Sequence, residues 1–274
     1  MGTQFLKHQK GSIAYDVSGS GPLVVCAPSM GDLRGEYRYL IPQLVSAGYR
    51  VVSQDVRGHG ETSKEWDDFS VAGCGSDLVA LIRHLDAGPA VIIGTSMSAG
   101  SAIWAAAEAP ELVSGMVLIG AFTRGKTPWH VKLFMSVLFA RPWGPGMWMR
   151  YFSTLFPTRK PQDFTEYTAE LHANLAQPGR MEALQKMIPA SKIPSEERMP
   201  RVRVPVKVMM GSKDPDFKDP QAEGRWVADH LSGTLEMIEG AGHYPHAEMP
   251  EITGPKILAF LQTIEHKQEV VHAA

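Results

Sequence analysis

Short apolar runs alternate with longer amphipathic stretches along most of this chain. "IAYDV" precedes the turn "SGSGP", and "LVVCA" (23–27) reads as a strand buried on both faces. "EYRYLIPQLVSAGY" has apolar residues at helical spacing and ends near Gly48, before the strand "RVVSQ" and the Gly-rich "DVRGHGETS". In "SDLVALIRHLDA", Leu78, Leu81, Ile82 and Leu85 recur at steps of three and four, which predicts an amphipathic helix. "AVIIG" then predicts a strand, "SAGSAIWAAAEA" a helix and "GMVLIGA" a strand. Near the end, "VPVKVMMGS" and "TLEMIE" are strands around a helix near 220–231, "ITGPKILAFLQTI" is the last helix, and "KQEVVHAA" is a frayed tail.

Strands that are apolar on both faces and alternate with helices predict an α/β fold: a mostly parallel central sheet with helices on both faces. Residues 124–200 break the alternation. They are helical in pattern, rich in Met and Trp, and bounded by Pro and Gly. They separate two strands expected to be neighbours, so they read as an inserted helical cap (124–200) on a core formed by 1–123 and 201–274.

Composition narrows the class. Of 274 residues, 44% are hydrophobic and 20% charged, as in an ordinary globular protein. The formal net charge of −2, with no basic patch, argues against a nucleic-acid partner. The two cysteines, Cys26 and Cys74, exclude a disulfide framework and favour a reduced, cytoplasmic setting. "MGTQFLKHQKGS" lacks the apolar stretch of a signal peptide, and no run approaches the roughly 20 apolar residues that span a bilayer. A monomer or homodimer with no membrane partner is expected.

The candidate chemistry starts in "VIIGTSMSAG" (91–100). Ser96 lies just past a strand and just before an Ala-rich helix, with Gly94 two residues before it and Ser98 two after. Reactive groups gather at the carboxyl ends of strands in an open α/β sheet, and a sharp turn there holds Ser96 above the sheet. A bland alternative is a helix N-cap. A serine nucleophile needs a base, and the base needs an orienting acid. "MGSKDPDF" offers Asp214 and Asp216 after an apolar strand; "GAGHYPHAEMPE" offers His243, with His246 as the nearest competitor. His59, in "RGHGETS", reads as a support of backbone geometry, and His246 as the start of the final helix.

"LVVCAPSMGD", "RVVSQDVRGHGETS", "VIIGTSMSAG", "PELVSGMVLIGA", "MGSKDPDF" and "GAGHYPHAEMPE" stand in an order that resembles the α/β-hydrolase superfamily over nearly the whole chain. The resemblance implies the α/β-hydrolase fold and a Ser–acid–His order, hence Ser96, Asp214 and His243, with Asp214 taken over Asp216 from its G-x-x-D position. G-T-S-M-S departs from the usual G-x-S-x-G elbow, because Ser98 stands where glycine is usual, at some cost in crowding. The resemblance also implies a backbone oxyanion hole from Met97 and Met30, with Ser29 as the other choice for the second donor. Pro28-Ser29 replaces the His-Gly many members carry, and Asp55, Arg57 and Gly58 match a loop that is structural.

Relatives that open epoxides or remove halides carry aspartate at the elbow, and dienelactone-opening ones cysteine. Serine implies acyl transfer to water. No H-E-x-x-H spacing or cofactor fingerprint occurs, so neither metal nor cofactor is expected. Trp129, Phe134, Met135, Phe139, Trp143, Met147, Trp148, Met149, Tyr151, Phe152 and Phe156 are expected mostly to pack the cap, with some facing the serine. The expected activity is a serine esterase acting on small-molecule esters of small-to-medium hydrophobic groups through an acyl-enzyme. A lactone, a thioester, or the carbon–carbon bond of a diketone is the alternative, the last with Arg150 or His130 as proton donor. A slow-turnover ligand sensor is a third reading.

Overall fold

In the computed structural model the strands are β1 (Gln4–His8), β2 (Gly11–Ser18), β3 (Leu23–Ala27), β4 (Arg50–Gln54), β5 (Ala90–Thr95), β6 (Val113–Ile119), β7 (Val206–Gly211) and β8 (Thr234–Ile238). The structure describes residues 2–265 in full and the backbone alone over 266–273, so the tail expected at 267–274 lies outside the fully described residues. All eight strands form one sheet, ordered β1-β2-β4-β3-β5-β6-β7-β8. β2 pairs antiparallel with β1 and β4, and every other pairing is parallel.

The helices before β6 are α1 (Ile41–Ser46), α2 (Val71–Leu85) and α3 (Met97–Glu108). Those between β6 and β7 are α4 (Trp129–Leu138), α5 (Gly144–Thr154), α6 (Phe164–Ala176), α7 (Arg180–Met187) and α8 (Ile193–Glu196). Then come α9 (Pro220–His230), α10 (Pro245–Glu248) and α11 (Pro250–Ala273). Successive strand residues point to opposite faces. Val25, Val52, Ile92, Leu118 and Val208 therefore pack with Leu78, Ile103 and Val227 on one face. Val24, Val51, Ile93, Val117 and Met209 pack with Leu44, Ile257 and Leu261 on the other.

Three elements depart from the sequence pattern. β1 was not expected: it is an edge strand, half-exposed, with no continuous apolar run to announce it. The helix expected over 36–49 is reduced to a 3₁₀ turn at Arg34–Tyr37 and a restart at Ile41. Pro42 sits in the first turn of α1, where its missing N–H is tolerated; further inside a helix it is not. α2 begins earlier than expected, because Ser70 Oγ accepts the Gly73 N–H at 3.2 Å and caps it.

The region between β6 and β7 has its own apolar cluster, including Trp148, Phe152, Phe156, Leu171 and Leu184, which reaches Leu33 and Tyr244 of the core. Arg38 holds Asp163 with two bonds of 2.6 and 2.7 Å, and Asn174 exchanges bonds with Gly60 at 3.1 and 3.0 Å. α4 is the loosest part: none of its residues is buried, and Trp129 and Phe134 are 76% and 63% exposed. Among the described residues no helix is long and apolar enough to cross a membrane.

Candidate active site

Ser96 alone makes the turn from β5 into α3. Its φ of 56° and ψ of −120° place a residue with a side chain in the left-handed half of the map, a strained conformation that must be held. Two bonds tie it to the neighbouring chain: its N–H donates to Ile119 O, at the end of β6, at 2.8 Å, and its carbonyl accepts the Phe122 N–H, just beyond, at 3.2 Å. A Cβ on Gly94 would lie 2.6 Å from Ser98 O, so the turn needs glycine there. Ser98 does more than crowd the turn. It is buried, and its hydroxyl donates to Pro28 O at 2.6 Å, tying the elbow to the loop after β3.

His243 lies in the loop after β8, and Asp214 in the loop after β7. The imidazole Nδ1 meets Asp214 Oδ2 at 2.8 Å, with both side chains buried. Asp214 Oδ1 accepts the Asp216 N–H at 3.0 Å, which fixes the carboxylate plane. His243 N–H donates to Leu155 O at 3.0 Å, and Gly120 lies under the ring, where a Cβ would meet Cε1 at 2.8 Å. Asp216 is also close, 3.8 Å from Nδ1, and its two oxygens each accept from Tyr151 OH at 2.7 Å. Burial opposes charging the imidazole, but the adjacent Asp214, helped by Asp216 and Glu36, outweighs it and holds the His243 pKa up at about 9.

The two competing histidines, His246 and His59, have structural partners. His246 lies in α10 and does not start the final helix. It stacks on Tyr37 at 4.9 Å, with Nε2 3.0 Å from Glu36 Oε1 in a close contact not aligned as a hydrogen bond. His59 accepts the Gly31 N–H at Nε2, 3.0 Å away, and its Nδ1 lies 2.9 Å from Arg57 O. Burial lowers its pKa to about 4, which keeps the acceptor nitrogen unprotonated. Glu36 Oε2 accepts the Ser29 N–H at 2.7 Å. The Ser29 and Gly31 donors are thus consumed, and the Met30 N–H between them has no acceptor among the described residues. The Met97 N–H, at the start of α3, has none either. The loop expected to be structural is so: Arg57 grips Asp77 with bonds of 2.6 and 2.7 Å, and Asp55 pairs with Arg34.

Ser96, Met97, Met30 and His243 line one cavity of about 330 Å³, with Asp214 behind the imidazole. A model of the α/β-hydrolase fold matches residues 22–250. The chain belongs to that family. It is 32% identical to a protein named as a non-heme bromoperoxidase, BpoC, of Mycobacterium tuberculosis, over 93% of this chain and 99% of the relative. It is 25% identical to 3-oxoadipate enol-lactonase 2 of Acinetobacter baylyi, over 74% of this chain and 75% of that one. The fold matches an esterase from Exiguobacterium antarcticum with a TM-score of 0.83 at 20% identity, covering 96% of this chain and 100% of that one.

The hydrolase's cavity roof departs from expectation in one respect. Arg150 and His130 are exposed and do not line the cavity. On α5 it is Trp148 and Tyr151, three residues apart, that turn inward; on α4 it is Val131 and Met135, four apart. Arg150 and His130 sit one residue, about 100° of helix, away from an inward position. Of the apolar residues expected to pack between β6 and β7, Met135, Trp148 and Tyr151 face the cavity, and Phe139, Phe152 and Phe156 are buried in the apolar cluster there. Trp129, Phe134 and Trp143 stand out in solvent.

Sequence reasoning missed Glu36, Glu248 and Lys192, and named Tyr151 only as one of the aromatic residues over the serine. Glu248 accepts the Gly242 N–H at 2.6 Å and those of Thr158 and Arg159 at 2.8 and 2.9 Å, tying the His243 loop to the cap. Its place in "HAEMPE" beside His243 was the available signal; Lys192 had none. Asp214, Asp216 and His243 also bring potential metal-ligand atoms within 4.8 Å of one another. All three are already engaged with each other or with Tyr151.

Proposed function

We propose that this α/β-hydrolase cleaves carboxylic esters, lactones included, through an acyl-enzyme on Ser96. The observation that carries the reading is the coincidence, in one cavity, of a strained serine turn, two lining residues whose backbone N–H groups lack acceptors, and a carboxylate-held imidazole. Ser96 Oγ attacks the carbonyl carbon while His243 Nε2 takes its proton. The negative oxygen that forms is held by the Met30 and Met97 N–H groups. The acyl–oxygen bond then breaks, and the imidazolium returns the proton to the departing alkoxide. Water, deprotonated by the same imidazole, releases the acid and restores the serine. Asp214 keeps Nδ1 protonated and the ring aimed throughout.

Ser29 is unsuited to the second donor role because Glu36 already takes its N–H. The cavity lies at the small end of the usual range for ligand pockets, and Met30, Met97, Met135 and Trp148 give it adaptable apolar walls. Esters of modest size suit it.

The test is hydrolysis of p-nitrophenyl acetate and butyrate by the protein and by Ser96→Ala. Loss of a nucleophile costs on the order of 10⁴- to 10⁶-fold in kcat. A fluorophosphonate adduct is expected on Ser96 by mass spectrometry. Equal rates for the two proteins, or an adduct elsewhere, would refute the assignment.

A further inference from the structure

Lys192 sits between α7 and α8 and lines the same cavity as Ser96 and His243. It is only 7% exposed, although a lysine stem is long enough to carry its charge to water. Its backbone N–H is pinned to Gly125 O at 3.1 Å. Its ammonium donates to one protein acceptor, Ala190 O at 2.9 Å, and no carboxylate among the described residues pairs with it. Two of its three hydrogens are thus left for something else. A buried ammonium without a counter-ion is unfavourable, and burial, with Lys132 nearby, lowers its pKa to about 8. It remains mostly charged at neutral pH.

The surroundings point the same way. Lys132 is exposed and lines an adjoining groove that shares Met135 and Ile188 with the cavity, so a second positive charge lies beside it. The other charged side chain on the cavity wall besides the imidazole, Asp216, is occupied by Tyr151 and faces His243. Val131, Met135 and Ile188 supply apolar wall.

We propose that Lys192 receives a carboxylate of the substrate, so that the molecule hydrolysed is an ester or lactone whose acyl part carries a free acid group beyond a short apolar stretch. This rests on the esterase reading and names its substrate class. A single ammonium matches a monoanion. The Lys192 hydrogens left open by the protein then bond to the carboxylate, the charge is neutralised inside the cavity, and the scissile carbonyl is set against Ser96 by the far end of the same molecule.

The test compares two esters of similar length, p-nitrophenyl hydrogen glutarate and p-nitrophenyl valerate, on the wild type, Lys192→Met and Lys192→Arg. The readout is the ratio of kcat/KM for the acid ester to that for the neutral one, which cancels any loss of folded protein. Wild type is expected to favour the acid ester. Lys192→Met lowers the ratio by about tenfold or more, mainly through KM, as removal of a charge-assisted bond does. Lys192→Arg retains most of the preference. A wild-type ratio at or below one, or a ratio unchanged in Lys192→Met, overturns the proposal. If neither ester turns over, the esterase reading falls, and calorimetry with monomethyl glutarate decides the site. Binding by Ser96→Ala that is lost in Ser96→Ala/Lys192→Met upholds the Lys192 site, and no binding by Ser96→Ala overturns it.

Discussion

The floor and the roof of the cavity are built by different rules. On the floor, backbone and buried polar groups are nearly all spoken for: Ser29 by Glu36, Gly31 by His59, Ser98 by Pro28, and Asp214 by His243 and Asp216. Two glycines, Gly94 and Gly120, leave room that a Cβ would fill. The roof is mostly apolar. It touches the floor through a few bonds, such as Trp148 Nε1 to Gly31 O at 2.8 Å and Tyr151 to Asp216, and α4 turns aromatic side chains outward. A site that must stabilise charge at fixed points needs a floor that does not move. A site that must admit a particular molecule can be shaped by the roof alone.

If the floor carries the chemistry, changes there should cost rate far out of proportion to stability. Asp214→Asn is expected to keep the shape but leave the imidazole in the wrong tautomer, lowering kcat by about 10⁴-fold. Stopped-flow or steady-state rates on p-nitrophenyl butyrate, with circular dichroism as the folding control, check it. His59→Ala should cost less. It strands the Gly31 N–H in a buried place, an expected loss of about 1–3 kcal/mol in urea unfolding. It also frees the loop that presents Met30, so kcat should fall while KM moves little. A variant that loses stability without losing kcat would separate the loop from catalysis.

Much of the floor is legible in the sequence because it is built from local signals. Runs apolar on both faces mark the parallel strands, and the small residues around Ser96 mark the sharp turn. Ser96 and His243, picked from short motifs, line one cavity, with Asp214 bonded to the imidazole. The roof is less legible, because its contacts depend on helix phase and on partners far along the chain. Tyr151 meets Asp216 across 65 positions, and nothing in "WMRYF" says that Tyr151 faces in while Arg150 faces out. Glu36 reads as the polar face of a helix until the fold brings Ser29 and His246 to it. Lys192 reads as a surface lysine in "SKIP" and is buried by packing alone.

The Tyr151–Asp216 hydrogen bond joins roof to floor next to the imidazole, and it should show in pH dependence. Asp216 is one of the groups that raise the His243 pKa, so Asp216→Asn should move the acid limb of kcat/KM for a neutral ester toward lower pH. In the wild type that limb is expected on the alkaline side of the usual histidine value of 6.5. The stability contribution has a matching sign. The folded imidazole is harder to deprotonate than the unfolded one, so its stabilisation is complete below about 6.5 and fades as pH rises through about 9. The urea midpoint of wild type should fall across that window, and that of Asp216→Asn should fall less. An acid limb unmoved by Asp216→Asn would mean that Asp216 serves Tyr151 and not the imidazole.

The smallest effect is expected on the outer face of the roof. Trp129 is 76% exposed, and its ring makes an edge contact with His130, 5.9 Å between centroids. An exposed side chain outside any special feature changes stability by no more than about 0.5 kcal/mol when replaced. Trp129→Ser should therefore leave the urea midpoint and the rate on p-nitrophenyl butyrate close to wild type, because the inward side of α4 is carried by Val131 and Met135. Met135→Ala, about one and two-thirds turns away on the same helix, should change KM across an ester series of increasing acyl length, because it enlarges the cavity itself. If Trp129→Ser changes KM as much as Met135→Ala does, the outer face of α4 takes part in admitting substrate, and the division between an inner wall that selects and an outer face that does not is drawn in the wrong place.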